Sequence, residues 1–169
     1  MNYLMLVLRL THIFAGVFWV GATLTMNFFV GPTIGATGEA GQQVKWYLMA
    51  KSRLSSAMTV AGVLTVLAGY IMYWLDSNGF SSTWTHSGPG IGFAIGGAAG
   101  LLGLIFRVLA NRKMSTLGKL VNEIKQQPTE EPSQKFVPLQ KTLALLIKPN
   151  TWSLIIAVLF MAVARYLVF

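Results

Sequence analysis

Four blocks of apolar sequence, at residues 4–30, 55–75, 90–110 and 151–169, restrict this chain to very few folds. A helix needs about 20 predominantly apolar residues to cross ~30 Å of hydrocarbon, and each block supplies close to that number. Inside a bilayer every backbone N–H and C=O must be paired within the protein, which leaves helices and closed barrels. Long apolar runs without strict alternation select helices. Composition agrees: 54% of residues are hydrophobic and 11% charged, where a soluble domain carries about 25% charged. The expected fold is all-α, a single transmembrane domain over residues 1–169 built as a membrane-embedded four-helix bundle.

Turn-forming residues set the limits of the blocks. Gly31-Pro32 is expected to close the first, and Asp76-Ser77-Asn78-Gly79 the second. Gly88-Pro89 precedes the third, which is expected to end at Asn111-Arg112-Lys113. Pro149-Asn150 precedes the fourth, with Trp152 at the headgroup level. The first block is longer than a signal-peptide core, and Arg9 sits inside it rather than ahead of it. It is therefore expected to be a retained helix.

Loop charge orients the bundle. Residues 31–54 hold Lys45, Lys51 and Arg53 against Glu39. Residues 112–150 hold Arg112, Lys113, Lys119, Lys125, Lys135, Lys141 and Lys148, whereas residues 76–90 hold Asp76 and no basic residue. The positive-inside rule places the first and third loops in the cytoplasm and both termini outside. The expected location is a prokaryotic inner membrane, N-out and C-out. The net charge of +8 then reflects topology and contact with anionic lipid rather than nucleic acid. No aromatic-interleaved basic patch is present.

Within the third loop, Leu117, Leu120, Val121 and Ile124 recur at helical spacing between Lys119, Glu123 and Lys125. This pattern predicts a short interfacial amphipathic helix between the third and fourth spans. Residues 126–138, with three prolines, read as a linker, and residues 137–147 as a second interfacial turn or helix. Gly92, Gly96 and Gly100 form a small-residue ladder on the third span, where backbones can approach closely. Gly62 and Gly69, seven apart, offer the same on the second.

Ionisable groups within a span call for an explanation, and the first span holds Arg9 and His12. Arg9, His12, Gly16, Trp19, Thr23 and Asn27 share one helical face. His12 lies about 12 Å into the span at 1.5 Å per residue. One reading makes it a packing residue bonded to a backbone carbonyl or a tyrosine. The other makes it a haem ligand, because imidazole binds iron through one nitrogen. On that reading Gly16 leaves room for a porphyrin edge, and Arg9 and Arg165 supply cations for propionates. The alternative for both arginines is snorkelling to headgroups. For a second axial position the candidates are Met72, Tyr70, Tyr73 and His86, the last also reading as a solvated loop residue. Met5 and His12, seven apart, also raise a copper(I) path. The chain has no cysteine, which excludes disulfides, thiolate zinc sites and iron–sulfur clusters.

The stretch Leu10-Thr-His-Ile-Phe-Ala-Gly-Val-Phe-Trp-Val-Gly-Ala resembles the opening helix of the copper-resistance D-like and HemJ-like (protoporphyrinogen oxidase-like) families. The run through Tyr47, Met49, Arg53-Leu54, Met58-Thr59 and Leu67-Ala-Gly69 is similar to the second-helix entry of the HemJ-like enzymes. Met161-Ala-Val-Ala-Arg-Tyr-Leu is similar to the C-terminus of related integral membrane families. The resemblance implies a haem b four-helix protein with His12 at the family's first-helix histidine. The HemJ-like third-helix motif of Trp-Leu-His and Lys is missing: residues 90–109 hold neither His nor Lys, only Arg107.

Three function classes stay open. The first is a haem b redox protein passing electrons near the outer face, with quinone or a redox protein as partner. The second is a protoporphyrinogen oxidase-like enzyme. The third is a cofactor-free structural or transporter subunit, acting as a homo-oligomer or within a larger complex. Hydrolysis has no support, since no nucleophile–base pair, paired carboxylates or phosphate loop is present.

Overall fold

The computed structural model describes residues 3–48, 53–126 and 130–168. Helix α1 (Tyr3–Thr25) passes through a π-helical turn (Met26–Val30) into α2 (Gly31–Ala36), followed by α3 (Gly38–Trp46). Then come α4 (Leu54–Asp76), the short α5 (Ser82–Thr85), α6 (Gly88–Gln126), α7 (Glu130–Val163) and a 3-10 turn (Ala164–Tyr166). Four stretches are long and apolar enough to cross a membrane: Tyr3–Ala36, Leu54–Asp76, Gly88–Val121 and Val137–Tyr166. Among the described residues there is no strand. The chain is an all-α integral membrane protein in contact with the bilayer.

Gly31-Pro32 does not end the first helix. Proline lacks the N–H that the carbonyl four residues back would accept, and its ring crowds that carbonyl. Here the preceding turn widens, with the Gly31 N–H bonded to the Met26 carbonyl, five residues back. Pro32 then occupies the first turn of α2, where its missing donor costs nothing. The second helix does end at its expected turn. Ser77 accepts from the Phe80 N–H at 2.9 Å and donates to the Trp74 carbonyl at 3.1 Å. Asn78, Gly79 and Phe80 follow with φ of 49°, 75° and 65°.

The third span and the amphipathic stretch after it are one helix. The segment around Leu117 is helical, as its spacing predicts, and continues α6 without a break at Asn111-Arg112-Lys113. Leu117 and Leu120, with Leu143 of α7, are buried, so this part of the apolar stripe is covered by protein. The linker expected over 126–138 is confined: residues 127–129 lie outside the described residues, and α7 is already helical from Glu130 through Pro138 and Pro149. The helix that holds the fourth span accordingly begins well before residue 151.

Packing is by antiparallel pairs. Helices α6 and α7 share the most extensive contact, α1 packs on α4, and α4 joins α6. A small core of Trp19, Met58, Ala61 and Leu154 draws on α1, α4 and α7, with Leu104 of α6 against it. Phe14, Val17, Leu67, Leu102 and Leu159 remain exposed. In water that surface would drive aggregation; in a bilayer it faces acyl chains. Gly88 meets the Leu167 carbonyl, and Gly92 would place a Cβ 2.8 Å from that of Ala164. Both chain ends therefore share the end of the bundle that carries the 77–87 loop.

Candidate functional site

The polar face of α1 is its inward face. Trp19 and Thr23 are buried, Gly16 packs against Thr65, and Asn27 donates from Nδ2 to Thr151 Oγ1. Asn27 lies within the widened turn, so the distortion ahead of Pro32 carries a side-chain bond from the first span to α7. The shared face read from spacing is thus a packing face.

His12 belongs to it. Its Nδ1 lies 2.8 Å from the carbonyl oxygen of Thr65 on α4. A carbonyl only accepts, so Nδ1 carries the proton and Nε2 keeps its lone pair. The ring fits where Gly69 has no side chain: a Cβ there would come within 2.9 Å of His12 Cε1. Histidine ligands of metals commonly anchor one ring N–H on a carbonyl in this way, which fixes the tautomer and aims the other nitrogen. His12 is half-buried, and its environment suits either a packing or a ligating imidazole.

A Cβ on Gly16 would meet Thr65 Cγ2 at 3.4 Å, an ordinary contact, so Thr65 lines the space beside this glycine. Arg9 and Arg165 are exposed at the end that holds both termini. Met72 is half-buried, seven residues beyond Thr65 on α4 and hence on nearly the same helical face. His86 lies exposed in the loop after α5, its Nδ1 3.4 Å from Thr85 Oγ1. Among the described residues no three His, Asp or Glu side chains gather as a metal site.

For a haem b the donor set is therefore one oriented imidazole with cations at the same end. Those residues fit the group by chemistry. The glycine niches between α1 and α4 do not supply its volume, because Thr65 and His12 fill them.

A second polar cluster, between α4 and α6, was not anticipated. Arg107 donates from one terminal nitrogen to the Ser55 carbonyl and Oγ, each at 3.3 Å, and approaches Met58 Sδ at 3.4 Å. Its Nε is buried without a partner. Asn111, one turn on, accepts from Ser55 Oγ at 3.1 Å and donates to Thr59 Oγ1 at 2.8 Å. The signal was present: Ser55 and Thr59, like Arg107 and Asn111, stand four apart and so share a face. Asn150 adds a buried bond from Nδ2 to the Gly103 carbonyl, 2.7 Å. None of these partners is a carboxylate.

Comparisons of the chain with protein-family models, with curated proteins and with solved structures give no match.

Proposed function

We propose that this is a haem b-binding integral membrane protein that transfers electrons near the end of the bundle holding both termini, with His12 as the residue that would hold the iron. The observation that carries the reading is the bond from His12 Nδ1–H to the Thr65 carbonyl. It fixes the tautomer, leaves Nε2 as the donor nitrogen, and holds the ring through a backbone atom that no substitution removes. The resemblance of the Leu10–Ala22 segment to haem-binding families points the same way. When bound, the haem supplies one-electron chemistry. The chain's own part would be to ligate through His12 and to offer Arg9 and Arg165 to anionic edges, with Met72, seven residues beyond Thr65 on α4, as a candidate soft second donor. Quinone or a redox protein is the proposed partner, in a prokaryotic inner membrane with both termini outside.

The test is the Soret absorbance of protein purified under haem-replete conditions. Wild type should show the band and His12→Ala should lose it while remaining inserted. Arg9→Ala and Arg165→Ala should lower haem retention without abolishing it. A colourless wild type overturns the reading.

One observation favours a second reading, a cofactor-free packing subunit of a larger membrane complex. Gly16 and Gly69 serve the α1–α4 contact, so His12 is already accounted for as a helix–helix link. A colourless protein that elutes with partner subunits would support it. Protoporphyrinogen oxidation has less behind it, because residues 90–109 carry only Arg107 where the similar enzymes carry His and Lys.

A further inference from the structure

We propose that the groove between α1 and α4 binds one anionic phospholipid, from the leaflet at the Arg53 end of the bundle. The groove is a shallow, open one of about 710 Å³. Its α4 side is the row Arg53, Ala57 and Ala61, four apart, and its α1 side is Ala15 and Phe18. The alanines make it a groove, because larger residues at those positions would fill the space between the helices. Among the described residues its lining is apolar except at one end, where Arg53 and Ser56 stand together, and none of them is acidic.

The dimensions fit a lipid better than a soluble anion. From Arg53 to Leu64, the last residue along α4 to line it, the groove runs about 16 Å at 1.5 Å per residue. Half of a ~30 Å hydrocarbon core is about 15 Å, the depth that one acyl chain occupies. Phe18 and Leu64 are exposed on the flank of two spans, so the apolar part opens to hydrocarbon. A phosphate at its mouth would meet the exposed Arg53 guanidinium, the Ser56 hydroxyl, and the positive end of the α4 dipole. Charge complementarity thus selects an anionic headgroup, and the apolar groove selects its chain.

The experiment is native mass spectrometry of the full chain from nanodiscs of equal phosphatidylglycerol and phosphatidylcholine. Wild type should retain one phosphatidylglycerol in preference to phosphatidylcholine by about fivefold, the value of one basic residue near an anionic surface. Arg53→Gln should bring the two lipids to parity while still retaining a lipid. Ala57→Leu, at an exposed position that leaves the core alone, should reduce retention of both. Arg53→Lys should keep most of the preference, since the charge persists. Equal retention of both lipids by wild type overturns the proposal, as does an unchanged preference in Arg53→Gln. Displacement of the bound lipid by a quinone in equimolar amount would also overturn it.

Discussion

Gly69 leaves the space in which the imidazole of His12 sits: a Cβ at position 69 would lie 2.9 Å from Cε1 and 3.1 Å from Nδ1. Real Cβ atoms do not come this close to a ring atom, so Gly69→Ala must displace the ring or part the helices. Either movement strains the bond to Thr65. Overpacking of this kind costs about 1–3 kcal/mol, and thermal unfolding in detergent should show it. Gly97→Ala is the control, with nothing within 4 Å of its added methyl, and should show no loss. If haem is bound, Gly69→Ala should also shift or weaken the Soret band, because His12 loses its orientation.

The α6–α7 seam gives a second ordering. Gly92, Gly96 and Gly103 meet Ala164, Met161 and Leu154 respectively, while Gly100 has nothing within 4 Å. A strict four-residue step advances about 40° past a full turn, so Gly100 lies about 80° around α6 from Gly92. The sequence Gly92, Gly96, Ala99, Gly103 alternates steps of four and three and stays within about 40°. Gly96→Leu and Gly103→Leu should therefore destabilise the bundle by several degrees in thermal unfolding, and Gly100→Leu much less. Equal effects at positions 100 and 103 would contradict this seam.

This contrast also shows what could be read beforehand. Apolar blocks fixed the number of spans because a bilayer leaves the backbone few options, and glycines marked close contact because packing drives association in lipid. Which glycines touch depends on helix phase, so four-residue spacing includes Gly100 in the ladder although nothing lies within 4 Å of a Cβ there. Helix ends beyond the membrane were less legible. The positive charges at Arg112-Lys113 mark a membrane boundary, which is not a helix boundary, and α6 runs on to Gln126. His12 was legible as an unusual residue, since a titratable group in a span is rare. Its partner is a backbone carbonyl on a helix 53 residues away, and no residue type announces that.

The cluster at Ser55, Thr59, Arg107 and Asn111 allows a test of polar contacts within the spans. Asn111→Ala removes the bonds to Ser55 and Thr59. Side-chain hydrogen bonds between membrane helices average ~0.6 kcal/mol, so the loss should be about 1 kcal/mol. Arg107→Met gives up two weak bonds at 3.3 Å and relieves a buried Nε that has no partner. A buried polar atom left unpaired is itself unfavourable. Arg107→Met should therefore cost no more than Asn111→Ala in denaturant or thermal unfolding. A much larger loss would mean that the guanidinium holds α4 and α6 together.

Topology can be measured on single-cysteine variants, because the chain has no cysteine of its own. Thr83 and Lys119 are both exposed and lie at opposite ends of the bundle. Thr83 stands in α5, between α4 and α6 at the end shared by both termini. Lys119 stands on the part of α6 that continues past Arg112 and Lys113. The cations concentrate at the Lys119 end, and residues 76–90 carry none. Basic flanking residues are retained on the cytoplasmic side. In intact cells a membrane-impermeant maleimide should label Thr83→Cys and leave Lys119→Cys unlabelled until the membrane is opened. Four antiparallel spans make the two labels mutually exclusive. The reverse pattern would invert the bundle and place His12 in the cytoplasmic half, so that any haem there would exchange electrons with cytoplasmic partners.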